Sequence, residues 1–275
     1  MYGQTNGRRY PFVAVDLNTQ ADFCLPDGAR PVANVAALIP TLRRVIAWAK
    51  RNGAPLISSI HSRRASEVSS SSSPMYCVDG TDGQRKMAFT IFRSRQGIRI
   101  DNTLCVPLNL FTRFQQVIFR QRGEDLLGNP KADRFVTQLP TEEFIVFGNV
   151  VEGSVKAFAL GLVARERKVV VVRDACGYWD RAAADLCFRL LAIKGVGVIT
   201  VDELLTRRLP DRYRLRLGFV RSGVCSESFE QKPTNGKSSR RNGRGTGNGS
   251  SGNGPSADRL RRRPPGGIIP QSRNA

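Results

Sequence analysis

Two spacings of apolar residues alternate along the chain, and their alternation predicts the fold. Short apolar runs occur at Phe12-Val13-Ala14-Val15, Leu56 to Ile60, Val117-Ile118-Phe119, Phe144 to Phe147, Val169 to Val172 and Val196 to Val201. Runs of this kind read as strands buried on both faces. Between them the spacing becomes helical. Val35, Leu38, Ile39, Leu42, Val45, Ile46 and Ala49 fall on one face between Pro31 and Asn52, and Gly53 ends the pattern. Further helices are predicted over Lys131–Leu139, Val151–Arg165 and Arg181–Lys194, with a short one beginning at Asp202-Glu203. Strands separated by helices imply right-handed crossovers and a parallel sheet. The expectation is a three-layer α/β/α domain over residues 8–210, with a mostly parallel sheet of about six strands. Residues 75–115 show little periodicity and read mostly as loop with short strands. The serine run from Ser66 to Ser73 reads as a loop or flap.

Composition alters this picture at the C-terminal end. From about residue 226 the chain turns to Gly, Ser, Asn, Arg and Pro. Such a segment cannot offset its ordering entropy by burial, so residues 226–275 are expected to form a disordered basic tail. From Cys225 onward ten basic residues stand against three acidic ones, within a formal charge of +20 for the whole chain. That excess favours anionic partners, such as nucleic acid or another polyanion bound through the tail. The competing reading is an Arg-rich, solubilising composition with no partner. No stretch approaches the ~20 apolar residues of a bilayer span, so no membrane partner is expected. The start lacks a basic segment followed by an apolar one, and no secretory signal is read there. Six scattered cysteines without paired spacing fit free thiols in a reducing compartment, and a cytoplasmic location is expected. The single histidine, His61, is too few for a zinc site built on several imidazoles; no metal and no cofactor are expected.

Candidate chemistry lies where strands end, because open parallel sheets bind ligands beyond the carboxyl ends of their strands. The first run ends in Asp16 and the run at Val117 ends in Arg120. The run at Phe144 ends in Gly148, before a turn that carries Ser154 at a helix start. An acid, a cation and a hydroxyl are thereby delivered to one edge. Each also has a plain structural reading: a turn cap for Asp16, an ion pair for Arg120 and a helix N-terminal residue for Ser154.

Four segments resemble one family, the isochorismatase-like or nicotinamidase-like cysteine hydrolases. They are Val13 to Cys24, Tyr76 to Gln84, Phe147 to Val155, and Val169 to Ala175, with Phe119-Arg120-Gln121 in order between them. The resemblance spans roughly residues 10–205. It implies that family's fold and its hydrolysis of amide, vinyl-ether or related bonds through an Asp-Lys-Cys triad. It also implies a cis peptide within Asn149-Val150-Val151, and an assembly of dimers or larger oligomers. Carried over by residue, Asp16 matches the acid, Arg120 the lysine and Ser154 the cysteine. Gln20, Phe23, Asn149, Val150 and Gly153 are implied to line a site for a small amide or carboxylate. Both departures matter chemically. Arginine stays charged and cannot shuttle a proton. A serine hydroxyl is far less acidic than a thiol and needs a positioned base. The expectation is therefore a hydrolase-fold protein impaired on the family's substrates. The alternatives are an active C–N hydrolase using Ser154 or a displaced cysteine such as Cys24 or Cys176, and a nucleic-acid-associated protein working through the tail.

Overall fold

The computed structural model describes residues 9–67, 75–101 and 103–207. The tail expected over 226–275 lies outside the described residues, as does most of the serine run. In chain order the main elements are β1 (Val13–Leu17), α1 (Ala21–Cys24), α2 (Val35–Asn52), β2 (Leu56–His61), β3 (Arg95–Ile98), β4 (Gln116–Gln121), α3 (Pro130–Gln138), β5 (Glu143–Asn149), α4 (Lys156–Val163), β6 (Lys168–Gly177), α5 (Arg181–Ile193), β7 (Gly197–Ile199) and α6 (Val201–Thr206). The strands form one sheet in the order β3-β4-β2-β1-β5-β6-β7. Every pairing is parallel.

The order reverses at β1. Crossovers run outward one way through β2 to β4, then back across through β5 to β7. With right-handed connections this puts α2 on one face and α3, α4 and α5 on the other. The face carrying α2 also receives α6, which the Arg44–Asp202 ion pair ties to α2. The central strands have little alternation because both faces are covered; Val13 to Leu17 is buried throughout.

Helix ends follow their sequence signals. Gly53 closes α2 at φ 60°, a left-handed position that glycine takes without a Cβ clash. Asn129 caps α3, accepting from the Lys131 amide at 3.0 Å, and Asp180 caps α5 through the Ala183 amide at 2.7 Å. Thr200 and Glu203 form a capping box on α6. Two differences from the sequence reading bear on the site. The sheet has a seventh strand, β3, inside the stretch that lacks periodicity. The helix expected from Val151 opens instead as a wide π turn over Val151–Val155, before α4 begins.

Candidate active site

The order reversal at β1 leaves a crevice above the carboxyl ends of β1 and β5, where such sheets bind ligands. Ser154 reaches it from the π turn. The Ser154 Oγ accepts a hydrogen bond from Asn18 Nδ2 at 2.9 Å and another from Gln121 Nε2 at 3.4 Å. Asn18 follows β1 at φ 48°, and its orientation is fixed from both sides. The Ser59 hydroxyl donates to Asn18 Oδ1 at 2.7 Å, which leaves the Nδ2 hydrogens for Ser154. The Ser59 Oγ in turn accepts the Asn18 backbone N–H at 3.1 Å. Gln121 Nε2 also donates to the carbonyls of Gly123 and Glu124, at 3.0 and 3.1 Å. The Asn149–Val150 peptide bond is cis. Asn149 Nδ2 donates to the Asn18 carbonyl at 3.2 Å and to Cys24 Sγ at 3.1 Å.

Asp16 and Arg120 do not join this group. Asp16 Oδ2 lies 2.9 Å from Lys86 Nζ, an ion pair with both side chains almost wholly out of solvent. Thr19 Oγ1 donates to Asp16 Oδ1 at 2.8 Å and Ser58 Oγ donates to Oδ2 at 3.2 Å. Lys86 Nζ further donates to Thr19 Oγ1 and to the Ser59 carbonyl. Arg120 Nη1 meets Asp79 Oδ1 and Ser62 Oγ, each at 3.4 Å. The cause is strand parity. Successive side chains in a strand face opposite ways. The register pairs Asp16 with Ser58 and Ser58 with Ile118. Asp16, Ile118 and Arg120 therefore share the face of α2, while Gln121 points to the other face with Ser154.

Of the other expected site residues, Phe23, Asn149, Val150 and Gly153 line the same small cavity as Ser154, together with Asn18, His61, Tyr76, Glu124 and Trp179. Gln20 does not. Its side chain is a buried strut, donating to the His61 and Gln84 carbonyls at 2.9 and 2.8 Å and accepting the His61 amide at 2.7 Å. The cavity holds about 10 Å3, room for one water. Aromatic rings flank it, with an arginine stacked on them. Phe23 lies 5.3 Å from Tyr76 and 6.2 Å from Trp179, and the Arg30 guanidinium sits 3.5 Å over the Trp179 ring.

The thiols of Cys24 and Cys176 near the crevice are buried. Burial pushes the Cys24 thiol up to about 12, and burial also raises that of Cys176. A divalent metal does not fit the residues present. His61 stacks on Tyr76 at 5.6 Å, and burial first, then the Arg63 charge, lowers its pKa to about 4. Among the described residues no group of three His, Cys, Asp or Glu side chains is placed to hold an ion.

A family model for the isochorismatase domain matches residues 12–203. The chain belongs to the isochorismatase family. Solved structures of this family share its fold at low identity. An isochorismatase family protein from Desulfovibrio vulgaris is 17% identical, with 72% of this chain and all of that one covered, at TM-score 0.56. The pyrazinamidase of Pyrococcus horikoshii in complex with zinc is 17% identical, covering 69% of this chain and 99% of that one, at TM-score 0.54. PnC1 from L. infantum in complex with nicotinate is 16% identical, covering 74% and 96%, at TM-score 0.55. A search of curated proteins finds no match.

The residues around Ser154 that the sequence reading missed are Asn18 and Gln121. Each stands close to the one chosen, two residues after Asp16 and one after Arg120. Lys86 was missed as well, because it lies in the stretch without periodicity.

Proposed function

We propose that this isochorismatase-family protein does not hydrolyse the family's amide and vinyl-ether substrates, and that Asn18, Gln121 and Ser154 stand in the places of the family's acid, lysine and cysteine. The observation that supports this is the pair of carboxamides on the Ser154 oxygen. In an Asp-Lys-Cys site the carboxylate takes the thiol proton, the ammonium stabilises the thiolate, and the thiolate attacks. Here the acid position offers an amide that donates to the hydroxyl and cannot accept its proton. The lysine position offers a second neutral amide. Two donors on the Ser154 oxygen also draw electron density from the atom that would attack.

The groups that remain suit binding. The Asn18 and Asn149 carboxamides and the Ser154 hydroxyl line the cavity beside the Glu124 carboxylate, a set that suits a small carboxamide better than a carboxylate, and Phe23, Tyr76 and Trp179 supply walls for a flat body. The Arg30 guanidinium lies over the Tyr76 and Trp179 rings beside this cavity.

The deciding experiment is turnover of nicotinamide. Wild-type protein is expected to release no ammonia above background, and Ser154→Cys alone to do little. The triple change Asn18→Asp, Gln121→Lys, Ser154→Cys is expected to give measurable release, because it restores base, cation and thiol together. Wild-type turnover abolished by Ser154→Ala would instead establish a serine hydrolase.

The net charge of +20 favours a second reading, retention on a polyanion. Binding to heparin or RNA that weakens steeply with salt, and that falls when residues 226–275 are removed, supports it. Self-association is a further proposal. Leu186, Leu190 and Ile193 expose an apolar stripe on α5. Light scattering of wild type beside Ile193→Asp tests whether that stripe joins two copies.

A further inference from the structure

A second cavity lies on the opposite face of the sheet from Ser154. It encloses about 340 Å3 and is lined by Ile60 of β2, Ile118 and Arg120 of β4, Arg95 and Gly97 of β3, and the segment from Gln84 to Ile91. The topology explains why it exists. The crossover from β2 to β4 contains no α-helix among its described residues, only short 3-10 turns and β3. The sheet face over β3 and β4 is therefore covered only by that irregular segment. Gly97 lies in register with Ile118 and brings no side chain to this face, which deepens the hollow.

We propose that this cavity is a binding site for a small organic acid, a carboxylate carried on an apolar body. Its floor and wall are Ile60, Ile91 and Ile118. Its charged groups are all cationic: Arg85, Arg95, Arg120 and, at its base, Lys86. Lys86 is already engaged by Asp16. Arg120 pairs with Asp79, which lies outside the lining and also meets Arg122 at 3.2 Å. Arg85 pairs with the exposed Asp82 at 3.0 Å, and Arg95 Nη1 donates to the Phe92 carbonyl at 3.1 Å. The lining itself supplies four cations and no carboxylate, which makes the field at the mouth positive. Apolar walls beneath that field reward a flat ring and repel a bare cation. Arginine presents a planar fork that matches a carboxylate with two parallel hydrogen bonds. The volume fits a one- or two-ring acid. This site is independent of the Ser154 crevice and of any reading of its chemistry.

The test is a titration of the full-length chain with 2-naphthoate, and in parallel with 2-naphthylmethanol and inorganic phosphate. It is read by NMR on isoleucine methyls and backbone amides. Naphthoate is expected to shift the Ile60, Ile91 and Ile118 methyls saturably and to leave the Gly153 and Ser154 amides in place. The alcohol, lacking the charge, should bind about tenfold more weakly, as should phosphate, lacking the ring. Arg95→Gln and Arg120→Gln should each weaken naphthoate by about tenfold while sparing the alcohol. Gly97→Leu fills the hollow and should abolish binding of both; Arg95 is exposed on an edge strand, so its variant keeps the test open even if Gly97→Leu does not fold. Unmoved isoleucine methyls, equal affinity for acid and alcohol, insensitivity to both arginine changes, or shifts confined to Gly153 and Ser154 would each overturn the proposal.

Discussion

At the scale of single residues, the side chains that meet Ser154 were legible to within two positions and no closer. Asp16 and Arg120 are the charged residues at the ends of their apolar runs, and a carry-over by residue type settles on them. Parity separates Arg120 from Gln121, the next residue of β4, and the end of β1 at Leu17 separates Asp16 from Asn18, which turns at φ 48°; the runs reveal neither. The charged pair that does form, Asp16 with Lys86, carries a prediction. Removing one partner leaves a buried charge without its counterion, so Lys86→Met is expected to lower stability by about 3–5 kcal/mol. The double change Asp16→Asn, Lys86→Met should recover much of that, as measured by urea unfolding. His61 carries another. Its pKa in the fold is about 4 against 6.5 for a free imidazole, because burial and Arg63 disfavour the imidazolium. Below pH 6.5 the unfolded chain takes up a proton that the folded chain refuses until about pH 4, so stability falls as pH drops through that window. The protein should be about 2 kcal/mol less stable at pH 5 than at pH 7 from this group alone. His61→Phe should remove most of the difference, and as the chain has one histidine no second imidazole obscures it.

At the scale of elements, long periodic segments were legible and edges were not. The helix α2 and the strands of the sheet centre announce themselves by spacing. The strand β3, Arg-Gln-Gly-Ile, does not, because an edge strand with one neighbour needs no apolar run. The π turn at Val151 was hidden too, since its apolar residues also satisfy an ordinary helix. The exit of β5 rests on Gly148, at φ +114°, where the ladder to β6 shifts register. A Cβ built there would lie 2.1 Å from the Leu17 carbonyl oxygen. Gly148→Ala is therefore expected to cost more than about 2 kcal/mol in urea unfolding and to displace Asn18 from Ser154.

At the scale of the whole molecule, the three-layer architecture was legible because burying both faces of a parallel sheet demands runs that few other folds need. The two sides of that sheet carry different chemistry, carboxamides, a hydroxyl and the Glu124 carboxylate in the Ser154 crevice and cations behind it. Every strand among the described residues belongs to the one sheet, so a chain ending at residue 225 is expected to keep its melting temperature. Loss of that temperature would show that the later residues belong to the folded unit. The placement of the chain's two tryptophans gives these comparisons an optical readout. Trp48 stacks on Phe12 at 5.1 Å and donates its Nε1–H to the Arg207 carbonyl at 2.8 Å, sealed where α2 meets the end of α6. Trp179 lies at the crevice mouth beneath Arg30. The fluorescence of the first changes when the fold opens, and that of the second when a ligand enters the cavity that Trp179 lines. In Trp179→Phe the emission becomes a gauge of global unfolding; in Trp48→Phe it becomes a gauge of the crevice, readable without any turnover.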